Sequence, residues 1–447
     1  MTGNTELTSD IDKDRLDFKS LVPVFVIVLV DLLGLTVIIP LLSLYAASFG
    51  ANASTIGFLG AAYPAMQVIG APLLGRLSDR YGRKPILLIS QIGTFLGFIL
   101  LGLADSLPLL FASRILDGLS GGNISTAQAI IADLTSEKNR TKGLGLIGAA
   151  FGMGFVIGPL IAFTSLSISG NNFHVPAFVA SGFSLISILL TATLLKESRP
   201  ADKKLSLAEK DEIFLKRFIQ TMRKPLVGFL LVCIFIYQIA FGGFQQLLSL
   251  FTLSRLGLDA SGNSVIFIWV GVLVVAVQGY FIGKWSRRFG ETKLIKAGLT
   301  ILAAGFLLTA LTPRVPPPWY SQEGLITELS AGRNLPGETP PTFNLKIDLP
   351  EENPKGWSGM VWLLIAMIPA AVGGGILQPS INSLISQQVT PRELGGTLGI
   401  SAALLSAANS LAPVLGGVLF QNLGASSPYL LGAFLCVFLL ILAVRRL

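Results

Sequence analysis

The sequence predicts an all-α membrane protein, with twelve transmembrane helices in two six-helix bundles. Three observations predict it. Charged residues make up 13% of the 447-residue chain and hydrophobic ones 52%, about half the charged share of a soluble domain, and the mean hydropathy is +0.70. Apolar runs close to the roughly 20 residues that cross a bilayer recur along the whole chain. A basic motif bracketed by glycines appears twice, once in each half. Together these exclude an ordinary soluble enzyme.

In chain order the runs lie at 21–46, 55–75, 86–104, 108–133, 143–165, 175–195, 225–250, 263–283, 293–312, 358–386, 396–420 and 428–444. Several contain Gly or Pro, which membrane helices tolerate when neighbours cover the freed backbone groups. The polar residues 1–20 form a tail before the first run, which is too long for the apolar region of a secretory leader. Residues 21–195 then form the first bundle, 196–224 a basic linker, and 225–447 the second bundle. With residues 1–20 placed inside, 27 of the 33 Lys and Arg residues fall in inner segments and 5 in outer ones, as the positive-inside rule requires. The net charge of +8 therefore belongs to the membrane surface and gives no support to nucleic acid as a partner. Both termini are expected in the cytoplasm and the protein in a plasma membrane, bacterial by the absence of any organelle signal.

The repeat fixes the architecture further. Gly75-Arg-Leu-Ser-Asp-Arg-Tyr-Gly82 follows the second run, and Gly283-Lys-Trp-Ser-Arg-Arg-Phe-Gly290 follows the eighth. Gly145 and Pro159 in the fifth run correspond to Gly399 and Pro413 in the eleventh once the segment 313–357 is treated as an insertion. Two parallel repeats imply bundles related by an axis along the membrane normal, with a small-molecule site between them near the midplane. The insertion carries nine prolines and reads as extended or disordered surface chain on the outer face.

Ionisable residues inside the runs are costly and mark candidate function. Asp31 in the first run has no charged neighbour in sequence. Burial disfavours its ionised form, which makes it a candidate proton carrier; a satisfied structural acid is the plainer alternative. Arg114 and Asp117 in the fourth run share one helix face at i, i+3, either as a neutralising pair or as partners in proton coupling. In the segment after the second run, Gly75 and Gly82 bracket a turn, and Asp79 sits among Arg76, Arg80 and Arg83. Asp79 can cap a helix or pair with an arginine and so latch one conformation. Gly145, Gly154, Gly158 and Pro159 give the fifth run a small-residue face for helix contact. Gln67, Asn123 and Gln128 in the first half, and Gln238, Gln245, Gln378 and Asn382 in the second, are polar candidates for a substrate cavity; helix–helix hydrogen bonding is the alternative for each. The single histidine, His174, excludes a site with two His ligands and reads as interfacial. Cys233 and Cys436 lie in apolar runs. No metal, cofactor, nucleotide-binding loop or catalytic constellation is read, so the chain is not expected to be an enzyme.

The segment GRLSDRYGRKPILL resembles the loop signature between helices 2 and 3 of the major facilitator superfamily, and the resemblance runs from Phe25 to Arg446. It implies that Asp79 meets the start of helix 11 near Gly395–Gly399, and that Arg83 pairs with Asp133 at the inner end of helix 4. Arg287 stands where the second copy would need its acid. Arg114-Ile-Leu-Asp117-Gly118 resembles the family's helix-4 motif, whose arginine is linked to proton transfer in proton-coupled members. The glycines of the fifth run resemble the helix-5 signature of antiporters, with Ala162-Phe163 where that pattern ends in two glycines. SDRYGRKPILLIS, IADLTSEKNR and GFVIGP resemble the tetracycline/proton antiporters. Gly97, Val274 and Leu302 stand where those proteins have a helix-3 acid, a helix-8 histidine and a helix-9 acid, so only architecture and antiport are carried over. The implied function is proton-coupled export of a small amphipathic or drug-like compound by a monomer in the lipid bilayer. A symporter or facilitator importing a metabolite, and a non-transporting membrane sensor, are the alternatives.

Overall fold

The computed structural model describes residues 18–135, 140–198, 218–332 and 345–447. Most of the expected tail and linker and part of the insertion lie outside the described residues. The first half contains α1 (Phe18–Ile38), α2 (Leu42–Ser48), α3 (Ala53–Tyr81), α4 (Arg83–Gly102), α5 (Leu107–Leu119), α6 (Asn123–Leu134), α7 (Arg140–Ser169) and α8 (His174–Leu194). The second contains α9 (Pro225–Leu256), α10 (Ala260–Ala276), α11 (Ile282–Phe289), α12 (Glu291–Ala310), α13 (Gln322–Ala331), α14 (Ser358–Gln387), α15 (Pro391–Leu423) and α16 (Ser427–Arg446).

Among the described residues, eleven helices are long and apolar enough to cross a membrane. The expected fourth run is not one helix: it divides into α5 and α6 around Ser120-Gly121-Gly122, three residues with low helix propensity. The groups freed by this break find partners. Gln67 Nε2 donates to Gly121 O at 3.2 Å, Gly122 N donates to Ser90 Oγ at 3.2 Å, and the Ser90 hydroxyl bonds Ser120 O. The first run also bends, between α1 and α2 at Pro40, which has no N–H to continue the helix. One widened turn, Val277–Phe281, joins α10 to α11.

The packing repeats between the halves. In the first half α1 packs on α7 and α8, α4 on α8, and α5 on α3 and α4. In the second α9 packs on α15 and α16, α12 on α16, and α14 on α10 and α12. Across the halves α3 packs on α15 and α7 on α10, an exchange of equivalent helices. Gly82 (φ 104°) and Gly290 (φ 77°) make the same tight turn in the two copies, a conformation that a Cβ would strain. Apolar residues one helical turn apart stay exposed on α8 (Leu185, Leu189) and α16 (Phe434, Val437, Ile441), as expected of surfaces facing lipid.

The insertion corrects the expectation of extended or disordered chain. Its window between Pro318 and Pro336 lacks proline, and there α13 forms, capped by the Ser321 side chain and burying Leu325 and Leu329. Tyr320 Oη donates to Pro350 O at 3.0 Å and Arg314 Nη2 to Leu349 O at 2.7 Å. These bonds fold the flanking chain back on itself.

Candidate functional site

Four assemblies of polar residues are present, and the first surrounds Asp31. Its two carboxylate oxygens accept from Asn123 Nδ2 at 2.9 and 2.8 Å. Asn123 is the first residue of α6, so the break in the helix aims it at α1. Thr94 Oγ1 lies 3.4 Å from the same nitrogen. Beside them Arg114 Nη1 and Asp117 Oδ2 are 3.2 Å apart, with side chains 3% and 2% exposed. The pair lacks hydrogen-bond alignment, and Arg114 also stacks 5.4 Å from the centre of the Phe98 ring. Gly97 admits this arrangement, because a Cβ there would lie 2.9 Å from Asp117 Cβ. Asp31, Asp117, Asn123, Gln67, Thr94 and Tyr63 line a cavity of about 20 Å³, room for roughly one water. The fold gathers Asp31, Arg114, Asp117, Gln67 and Asn123, all candidates from the sequence, and adds Tyr63 and Thr94, which carry no signal there.

The second assembly sits at the basic end of the bundle. Arg83 Nη2 meets Asp79 Oδ1 at 2.8 Å, its Nε meets Asp133 Oδ2 at 3.1 Å, and its Nη1 donates to Ser78 Oγ at 2.7 Å. The start of α4 is capped by Glu197, which no local sequence pattern marks: its carboxylate accepts from Arg83 N at 2.8 Å and Lys84 N at 3.1 Å. A helix N-terminus favours such a negative charge. Arg80 lies exposed, with its guanidinium 5.2 Å from the centre of the Tyr81 ring. The second copy keeps the serine and reverses the charge. Ser286 Oγ donates to Glu291 Oε1 at 2.6 Å, and Ser383 of α14 donates to the same oxygen at 2.7 Å. In the first turn of α15, Glu393 pairs with Lys224 at 2.8 Å. That hydrogen bond and those from Thr390 hold the Glu393 carboxyl down at about 2. A methyl placed on Gly75, Gly145, Gly396 or Gly399 would meet no atom within 4 Å beyond its own surroundings in the helix. Gly154 and Gly158 are different: a Cβ on Gly158 would lie 2.1 Å from Thr36 Oγ1. The small-residue face of α7, which keeps Pro159 within the helix, thus packs on α1 through these two residues and leaves Gly145 out.

The third is a cavity of about 450 Å³ between the halves. Gln238, Gln245, Gln378 and Asn382 all line it, as expected; Gln67 and Asn123 belong to the smaller cavity, and Gln128 is exposed and lines neither. Gln238 Nε2 donates to Asn409 Oδ1 at 2.8 Å. Gln278 enters from the widened turn between α10 and α11. Phe151 and Phe155 of α7 face Tyr237, Phe241 and Phe244 of α9 across it. The aromatic lining had no distinguishing signal in the sequence, since a phenylalanine facing a cavity and one facing lipid read alike.

The fourth assembly lies at the insertion end, where the halves are bonded to each other. Ser43 Oγ donates to Gln246 O at 3.1 Å, Ser249 Oγ to Pro40 O at 2.9 Å, and Ala53 N to Gln421 Oε1 at 3.0 Å. Asn171, between α7 and α8, donates to Asp259 Oδ2 at 3.0 Å and to Glu328 of α13, and accepts from Ser261. Phe173 N donates to Gly332 O at 2.8 Å. Burial first, then the Asp259 charge, pushes Glu328 up to about 7. His174, the first residue of α8, is buried, with Nδ1 2.9 Å from Gly102 O and 3.2 Å from Tyr45 Oη.

Comparison with known proteins matches the family described as Major Facilitator Superfamily to residues 24–331 and 356–447. Tetracycline resistance protein, class H, of Pasteurella multocida is 26% identical over 431 residues, covering 95% of this chain and 96% of that protein. Multidrug resistance protein 2 of Bacillus subtilis is 25% identical over 421 residues, 93% of this chain and 92% of that one. Among solved structures, the human organic anion transporter MFSD10 (TETRAN) superposes with a TM-score of 0.66 at 22% identity, covering 96% of this chain and 100% of that one. A POT family transporter in complex with 5-aminolevulinic acid superposes with a TM-score of 0.72 at 14% identity, covering 97% and 98%. These two likenesses show the fold.

Proposed function

Because this chain belongs to the major facilitator superfamily, a family of transporters, we propose that it is a proton-coupled antiporter that exports a small amphipathic compound. In this reading α5 and α6 together make the twelfth span, and the helices form two six-helix bundles, residues 21–195 and 225–447. The basic end faces the cytoplasm, and the protein lies in the plasma membrane as a monomer. The repeated packing of the halves and the positive charge at one end support it. The observation that carries proton coupling is Asp31, held by Asn123 beside a water-sized cavity shared with Asp117. An acid inside a membrane span is costly and marks candidate function.

The geometry supports a route from that acid to the gate. Ionised Asp31 accepts twice from one amide nitrogen. A proton on either oxygen removes an acceptor and weakens the grip on Asn123. Asn123 opens α6, and Asp133 sits near its other end holding Arg83. A helix of that length spans about 18 Å as one rigid piece. Protonation of Asp31 thus lets α6 shift and disturbs the Asp79–Arg83–Asp133 latch. The bonded insertion end and the open glycines at the basic end fit a state open to the cytoplasm. The test is proton flux evoked by a panel of amphipathic compounds in vesicles of known pH gradient. Flux in the wild type and none in Asp31→Asn is the expected result; unchanged flux in the variant would remove Asp31 from the mechanism.

A further inference from the structure

We propose that the central cavity takes a compound with no net charge, built on an aromatic ring and carrying amide-like or hydroxyl hydrogen-bonding groups. The inference rests on the reading of this cavity as the transport site and adds the chemical class of its occupant. Among the described residues that line it there is no Asp, Glu, Lys, Arg or His. Its polar residues are chiefly amides, Gln238, Gln245, Gln278, Gln378, Asn382 and Asn409, with Tyr237 beside them. Each amide offers both a donor and an acceptor, so together they pair with neutral carbonyl, amide and hydroxyl groups in either direction. The rest is aromatic: the Phe241 and Phe244 rings are stacked with centroids 5.8 Å apart on one wall, and Phe151 and Phe155 with centroids 6.5 Å apart on the other.

An ion entering this cavity loses its water and finds no counter-charge. A carboxylate or sulfonate fares worst, because the faces of phenyl rings are negative. A cation gains ring contacts, but these return less than full desolvation takes away. The acids that could compensate line the smaller cavity walled by α1, α3, α4, α5 and α6, where Asp31 is engaged by Asn123 and Asp117 by Arg114. Proton and compound therefore occupy separate compartments. Exchange of a proton for an uncharged compound moves net charge in every cycle, so the membrane potential drives it as well as the pH gradient.

The test is equilibrium binding to the full chain in lipid nanodiscs at equal pH on both faces. The probes are a matched series: benzanilide, its 4-carboxylate and its 4-trimethylammonium derivative. Saturable binding of benzanilide at least about tenfold tighter than either charged analogue is the expected result. Gln378→Glu should shift the order towards the ammonium probe, and Phe241→Ala should weaken benzanilide. Equal or tighter binding of a charged probe to the wild type, or no saturable binding of any of the three, would overturn the proposal. No gradient is present, so failure of proton coupling in vesicles would leave this binding order untouched.

Discussion

At Asp31 one amide nitrogen serves both carboxylate oxygens, and the consequences differ from those at the neighbouring acid. Asp117 is tied to Arg114 with both side chains buried, and removing the cation leaves a buried charge alone. Arg114→Met is expected to destabilise the protein by about 3–5 kcal/mol, the cost of orphaning one member of a buried pair. The double variant Arg114→Met, Asp117→Leu should recover much of that loss. Thermal unfolding in detergent checks both; an unchanged melting temperature in Arg114→Met would mean that the pair is not energetically coupled. Asp31, Arg114 and Asp117 were legible because charge inside an apolar run stands out. Their partners were harder to read. Tyr63 and Thr94 are ordinary helix residues, and Glu197 lies 114 positions from the backbone nitrogen it caps. Such contacts are set by helix packing and leave no local pattern.

At the scale of the element, two breaks carry the argument. Ser120-Gly121-Gly122 interrupts the fourth span and turns Asn123 towards Asp31. The widened turn Val277–Phe281 brings Gln278 to the central cavity. The glycines of the first break were visible in sequence, whereas the phase shift of the second was not. The insertion was misread because its prolines are concentrated outside the short window that forms α13. That helix has a pH-dependent attachment. The Glu328 carboxyl is raised from 4.5 to about 7 by burial and by Asp259, so the docked state binds its proton more tightly than the undocked one. The stabilisation is complete below about 4.5 and is lost as pH rises through about 7. The groups facing Glu328 are Asp259 and Asn171, with Ser261 bonded to the latter. The distance between probes at positions 172 and 331 should lengthen as the pH of the insertion side is raised through about 7. Glu328→Gln should flatten that dependence; the same dependence in the variant would assign the titration elsewhere. On the opposite end, Asp133→Asn weakens one of the two carboxylate contacts of Arg83. The account expects faster accessibility of a cysteine placed at Gly75 to a cytoplasmic thiol reagent.

Across the whole molecule, the two halves repeat their internal packing and exchange equivalent helices at their seam. The sequence carried this plainly, through the paired glycine motifs and the lopsided distribution of Lys and Arg. The size and wall of the central cavity were not legible, because they depend on side chains from helices of both halves that meet only after folding. The proposed reading gives proton and compound separate compartments: Asp31 bonded to the first residue of α6 on one side, and a chamber with no charged residue among its described lining on the other. The measurement that tests this most directly is proton flux into vesicles holding the purified protein, recorded with a lumenal pH dye while an uncharged aromatic amide is added. The account predicts compound-evoked flux that grows with an imposed membrane potential and disappears in Asp31→Asn. Flux that ignores the potential, or that persists in full without the Asp31 carboxylate, would contradict it.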